Sequence, residues 1–132
     1  METIYFAHPV NTYGTAVETF CLELIRKKFP GQKIFNPNGL KHQMEYGRKG
    51  MDYFFEEVKQ CENVVFLPFS DGSIGAGVYK EVECGFNNKS DIYIFQEDFN
   101  LLKIETLPTK LLTIEQTRKR IKEEENYLNF YL

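Results

Sequence analysis

The chain has 132 residues, a formal net charge of −3 and 15 % aromatic residues. A chain of that length buries one core and reads as one domain, and its acidic balance leaves no basic footprint for nucleic acid. With no long apolar run, and an opening METIYFAHP that lacks a basic-then-apolar leader, the expected setting is cytoplasmic, with neither membrane nor nucleic acid as partner.

Thr3 to Ala7 is a short β-prone run, typical of a central first strand. The loop His8-Pro-Val-Asn-Thr-Tyr-Gly14 follows, and Thr15-Ala-Val-Glu18 has the spacing of a capping box opening a helix over 15–29. Ala16, Val17, Phe20, Cys21, Leu24 and Ile25 form its apolar stripe, and Pro30-Gly31 ends it. Lys33 to Phe35 is a second short strand. Leu40 to Gly50 is polar and glycine-punctuated, a long loop or a short irregular helix. Positions 51, 54, 55 and 58 mark a helix over 51–61, with Asp52 in its first turn. A buried strand is expected over 63–68, a glycine turn at 70–75 and a helix over 75–87. Asp91 to Phe95 is another strand, with an edge strand within 101–107.

From Thr113 a charged final helix and tail carries only a thin apolar line, Ile114, Ile121 and Leu128, and ends in Tyr127, Phe130 and Tyr131. That pattern places it on the surface or against another subunit, so a homodimer or higher homo-oligomer is expected. The alternation of strands and helices predicts a single doubly wound, Rossmann- or flavodoxin-like α/β domain over 1–132, with a mainly parallel sheet and helices on both faces.

In such a fold ligands bind at the carboxyl ends of the strands. The loops expected there carry Tyr5, His8, Asn11, Tyr13, Ser70 and Asp71, with Asp52 and Glu81 on flanking helices. Gly72, Gly75 and Gly77 allow a tight turn that can cradle a phosphate at a helix start, although their spacing is neither a dinucleotide fingerprint nor a triphosphatase loop. Cys21, Cys61 and Cys84 sit in helical patterns and read as reduced small hydrophobes. His8 and His42 form no zinc spacing, so no metal and no cofactor are expected. No nucleophilic serine elbow or Cys-His set is present, which leaves carboxylates as the expected chemistry. A carboxylate is a competent nucleophile at an anomeric carbon, where a covalent ester can hold the sugar.

Three segments resemble one family. Ile4-Tyr-Phe-Ala-His-Pro9 is similar to the opening of the nucleoside 2-deoxyribosyltransferases and related nucleotide N-glycoside hydrolases. The stretch from Asp52 through Cys61 to Val65 resembles their helix aspartate leading into a hydrophobic strand. Gly77-Val-Tyr-Lys-Glu81-Val resembles the segment that holds their glutamate nucleophile. The resemblance covers residues 3 to 95 and implies a compact doubly wound fold, oligomers with shared active sites, and a nucleoside, nucleotide or nucleobase as ligand. It implies Glu81 as nucleophile, with Asp52 and Tyr5 as catalytic partners. Ligand contacts are expected from His8, Asn11, Ser70, Asp71, Gly72, Gly75 and Gly77. The chain departs from the pattern at His8, where Gly is common, and at Val78, where Thr is common. The segment from Asp71 to Gly77 is also longer, and the tail after residue 113 has no counterpart. Transfer to another base and hydrolysis both fit; the alternative is a non-catalytic nucleotide-binding or signalling module of the same fold.

Overall fold

The computed structural model describes residues 3–131, with side chains to residue 125. Five strands, β1 (Thr3–Ala7), β2 (Lys33–Phe35), β3 (Asn63–Phe66), β4 (Asp91–Phe95) and β5 (Leu101–Ile104), form one sheet in the order β2-β1-β3-β4-β5. The first four are parallel, with Tyr5 beside Phe35 and Val64, and Val64 beside Ile92; β5 closes the edge antiparallel to β4. The helices are α1 (Ala16–Lys28), α2 (Leu40–Lys49), α3 (Met51–Lys59), α4 (Ala76–Asn87) and α5 (Ile114–Tyr131), with a 3-10 turn at Val10–Thr12. The domain is therefore α/β and doubly wound. The segment 40–49 is a regular helix, which ends at Gly50, whose φ of 67° lets the chain turn directly into α3.

Side chains of successive strand residues point to opposite faces, and this divides the core in two. Tyr5, Ala7, Val64, Phe66 and Ile92 pack with Phe54, Val58, Val78 and Val82 of α3 and α4. Ile4, Phe6, Val65, Leu67 and Phe95 pack with Cys21 and Ile25 of α1 on the other face. The chain passes from β1 to β2 on one side and then crosses to β3 on the other, so a crevice opens at the carboxyl ends of β1 and β3.

The final helix docks on its own chain. Ile74 donates its N–H to the Lys110 carbonyl at 2.9 Å, and Leu112 donates to the Ile74 carbonyl at 2.8 Å. Thr113 and Gln116 then cap α5 reciprocally, at 2.9 and 3.1 Å. The helix runs past the glycine turn after β3 and touches the 3-10 turn after β1. The side chains of Tyr127, Phe130 and Tyr131 lie outside the described residues.

Gly85 marks where α4 presses closest to the sheet. A Cβ there would stand 2.6 Å from Val64 Cγ2 and 3.4 Å from both Ile92 Cδ1 and Val58 Cγ1. We expect Gly85→Ala to destabilise the domain by about 1–3 kcal/mol through overpacking, seen as a lower urea midpoint at unchanged m; an unshifted midpoint would refute this packing.

Candidate active site

Tyr5 stands in the middle of β1 on the face that meets α4, and Glu81 lies one helical turn beyond Gly77. Their side chains meet: the Tyr5 hydroxyl donates to Glu81 Oε2. Tyr5 is wholly buried and Glu81 keeps only 7 % exposure, so both members of the pair are withdrawn from solvent. The Tyr5 ring is fixed by stacking on Phe35 at 5.2 Å and 13°. Phe35 in turn packs against the His42 ring at 4.5 Å, and His42 Nδ1 lies 2.7 Å from the Tyr53 hydroxyl. A row of aromatic groups from β1, β2, α2 and α3 thus backs the pair.

Burial sets the titration. Loss of hydration pushes the Glu81 carboxyl up to about 8, opposed by the Tyr5 hydrogen bond. The start of α4 does little to offset this. Glu81 is the sixth residue of α4, and the helix field fades beyond the first turn. Burial also raises the Tyr5 and Tyr13 hydroxyls, and the charge of Glu81 raises both further. Tyr13 therefore lies within electrostatic reach of the pair.

His8 is placed elsewhere. It is 3 % exposed and lies flat on Phe6, with ring centroids 3.9 Å apart, on the α1 face of the sheet. Its Nδ1 meets the Phe6 carbonyl at 3.0 Å and its Nε2 meets Glu18 Oε2 at 2.8 Å. Strand alternation explains this: His8 follows Phe6 by two positions and shares its face. Both ring nitrogens are engaged within the chain, which corrects the expected ligand contact. Glu18 does not close the capping box back onto Thr15. Its carboxylate accepts from His8, from the Gly14 N–H at 3.1 Å and from Asn38 Nδ2 at 2.9 Å, and these bonds hold it down at about 2 against its own burial. The loop between β1 and α1 is thereby pinned. On it, Asn11 is half-buried and its Oδ1 is a buried acceptor without a partner.

The glycine turn is occupied by α5. Ser70 donates from its N–H and its hydroxyl to Glu124 Oε1, both at 2.8 Å, and Arg120 donates to Ser70 Oγ at 2.9 Å. Asp71 Oδ1 accepts from the Ser73 N–H at 2.9 Å, and Lys110 Nζ donates to the Asp71 carbonyl at 2.5 Å. Thr117 Oγ1 accepts the Ala76 N–H at 2.9 Å, capping the start of α4 beside Gly75. The N–H groups of Ser70, Ser73 and Ala76 are thus taken by the protein's own side chains, while Arg120 Nε is a buried donor without a hydrogen-bond partner. Gly72 and Gly77 are exposed, and Asp52 faces solvent in the first turn of α3, apart from the buried pair. An apolar cavity of about 450 Å³ adjoins this turn at the ends of β3 and β4 on the α1 side, lined in part by Leu67, Phe69, Phe95 and Phe99 together with Ser70, Gly72 and Glu124.

Phe35, His42, Tyr53 and Thr117 carried no site signal in the sequence, because each acquires its place from a segment distant along the chain. No protein-family model matches the chain, and a search of curated proteins returns no match.

Two of the three carboxyls buried among the described residues, Glu18 and Glu81, give stability opposite dependences on pH. Glu18 is held below its ordinary 4.5, so its contribution, on the order of 3 kcal/mol, is present above 4.5 and is lost as pH falls toward about 2. Glu81 is raised, so the native state holds a proton that the unfolded chain has released, and stability falls as pH rises from 4.5 to about 8. We expect Glu81→Gln to flatten the melting temperature across that upper window and Glu18→Gln to weaken the acid-side loss. Unaltered profiles in both variants would contradict these environments.

Proposed function

We propose that the chain is an enzyme acting at the N-glycosidic bond of a nucleoside or nucleotide, with Glu81 as covalent nucleophile, as the resemblance to the nucleoside deoxyribosyltransferase-like proteins implies. The observation that carries the proposal is the Tyr5–Glu81 pair, a carboxylate aimed by a fixed phenol beside the sheet's ligand crevice. The Tyr5 hydroxyl engages Oε2 and leaves Oε1 for attack. In its ionised form Glu81 adds through Oε1 to C1′ of the sugar as the bond from C1′ to the base nitrogen breaks. The base departs with that electron pair and takes up a proton from solvent. The resulting ester is then opened at C1′ by water or by a second base, which loses a proton and restores the carboxylate.

Burial of Glu81 favours a second reading, in which a protonated glutamate ties α4 to β1 in a non-catalytic nucleotide-binding module. Self-association belongs to the main proposal: Leu40 and Met44 of α2 are 79 % and 63 % exposed, apolar surface suited to a second copy.

Incubation with a panel of 2′-deoxynucleosides, with and without a free acceptor base, tests the choice through released or exchanged base. Glu81→Gln should leave ligand binding nearly intact and cut turnover by about 10³-fold or more. Glu83→Gln, on the same helix, should cost little; equal losses in both would point to a disturbed helix. For wild type, kcat/KM should rise with pH through about 8 as Glu81 ionises. Full activity in the Glu81 variant would remove the nucleophile and favour the binding module.

A further inference from the structure

We propose that the apolar cavity at the ends of β3 and β4 is a ligand site in its own right, and that it takes a small molecule with an aromatic body and a cationic, hydrogen-bond-donating head. Neither Tyr5 nor Glu81 is in its lining, so the proposal does not rest on the N-glycosidic reading.

Its volume of about 450 Å³ falls in the range of small-molecule pockets, about 300–1,000 Å³. Three rings, Phe69, Phe95 and Phe99, stand in its wall. Phe95 and Phe99 meet at 6.2 Å and 59°, and Phe20 packs on Phe99 at 5.3 Å and 71°. Phe99 also has a positive φ, 63°. It sits in the hairpin between β4 and β5, where its N–H donates to the Gln96 carbonyl at 2.8 Å and the Gln96 N–H donates to the Asn100 carbonyl at 2.9 Å. That position favours Gly or Asn, and a bulky residue held there is strained. Here the strain falls on a cavity wall, and backbone strain concentrates at ligand clamps. An aromatic body suits such a wall through edge and offset ring contacts.

Apart from the exposed Gln96 amide, the polar side chains of the lining offer acceptors. The N–H groups of Leu67, Phe69, Ser70, Gly72, Gln96 and Phe99 are all engaged within the chain. The Ser70 hydroxyl is spent on Glu124 and Arg120. The charged side chains in the lining are Glu97 and Glu124, both carboxylates. Glu97 is exposed, whereas Glu124 is 7 % exposed. Glu124 Oε1 takes both Ser70 donors and Arg120, and among the described residues no hydrogen bond reaches Oε2. A buried acceptor left in that state calls for a donor. The cations beside the turn are held on Asp71, Lys110 at its carbonyl and Arg120 Nε 3.9 Å from Oδ2, and neither lines the cavity. An ammonium on the ligand supplies the donor and charge that the lining lacks, whereas an anion would meet two like charges.

The test is calorimetry and amide NMR on the full chain with tryptamine, skatole and indolepropionate, which share one ring and differ in charge. Tryptamine should bind at least tenfold tighter than indolepropionate, with skatole between them, and should shift the amide signals of Gly72 and Phe99. Glu124→Gln should narrow the preference for tryptamine over indolepropionate at least threefold. Should that variant not fold, Glu97→Gln, on the surface, reads the same preference and should narrow it at least twofold. Val17→Phe, which fills the cavity from α1, should weaken tryptamine at least tenfold. Indolepropionate binding as tightly as tryptamine, or a preference unchanged in the folded carboxylate variants, would overturn the cationic head. Binding of none of the three, or tryptamine binding undisturbed by Val17→Phe, would overturn the site itself. Neither result bears on base release from deoxynucleosides, which tests the Glu81 reading separately.

Discussion

A carboxyl group withdrawn from water, on the inner face of a helix packed on a parallel sheet, is among the costliest placements a small domain can hold. Glu81 occupies that position, and its one described hydrogen-bond partner is the hydroxyl of Tyr5. The placement is tolerable because the surroundings are rigid. Gly85, one turn further along α4, lets the helix sit against Val64 and Ile92, and Phe35 clamps the Tyr5 ring. Burial suppresses the ionisation of Glu81, and the phenol of Tyr5 fixes the direction of its carboxyl group.

Another buried carboxylate shows the opposite solution. Glu18 is also 6 % exposed, yet it accepts from a histidine, a backbone N–H and an amide, and it stays ionised into strong acid. The difference lies in donors and not in depth. Glu18 holds the loop after β1 in place, and that loop carries Asn11 and Tyr13. Glu18 is therefore held by several donors, while Glu81 has the Tyr5 hydroxyl as its one described partner.

The last helix alters how the sheet's carboxyl end is read. Glycine turns before a helix often signal phosphate, but here Glu124 takes the Ser70 N–H and Thr117 the Ala76 N–H, while Lys110 and Arg120 donate to the turn. The sequence signal and its occupants lie 39 to 54 residues apart, joined through the bridge between Ile74 and Leu111.

Sequence by itself determined the strand and helix order, because alternating β-prone and 3.6-periodic runs report local burial. It also determined the pairing of Tyr5 with Glu81 as a candidate, through motifs each a few residues long. Local pattern further placed His8 two positions after Phe6, though reading it as a ligand contact ignored strand alternation. What the tertiary structure alone decided is which polar groups are already spent. Glu18 on His8, Thr117 on Ala76 and Glu124 on Ser70 are contacts between side chains and loops. Hydrogen bonds of that kind depend on distance and direction in space, and residue spacing along a chain carries neither.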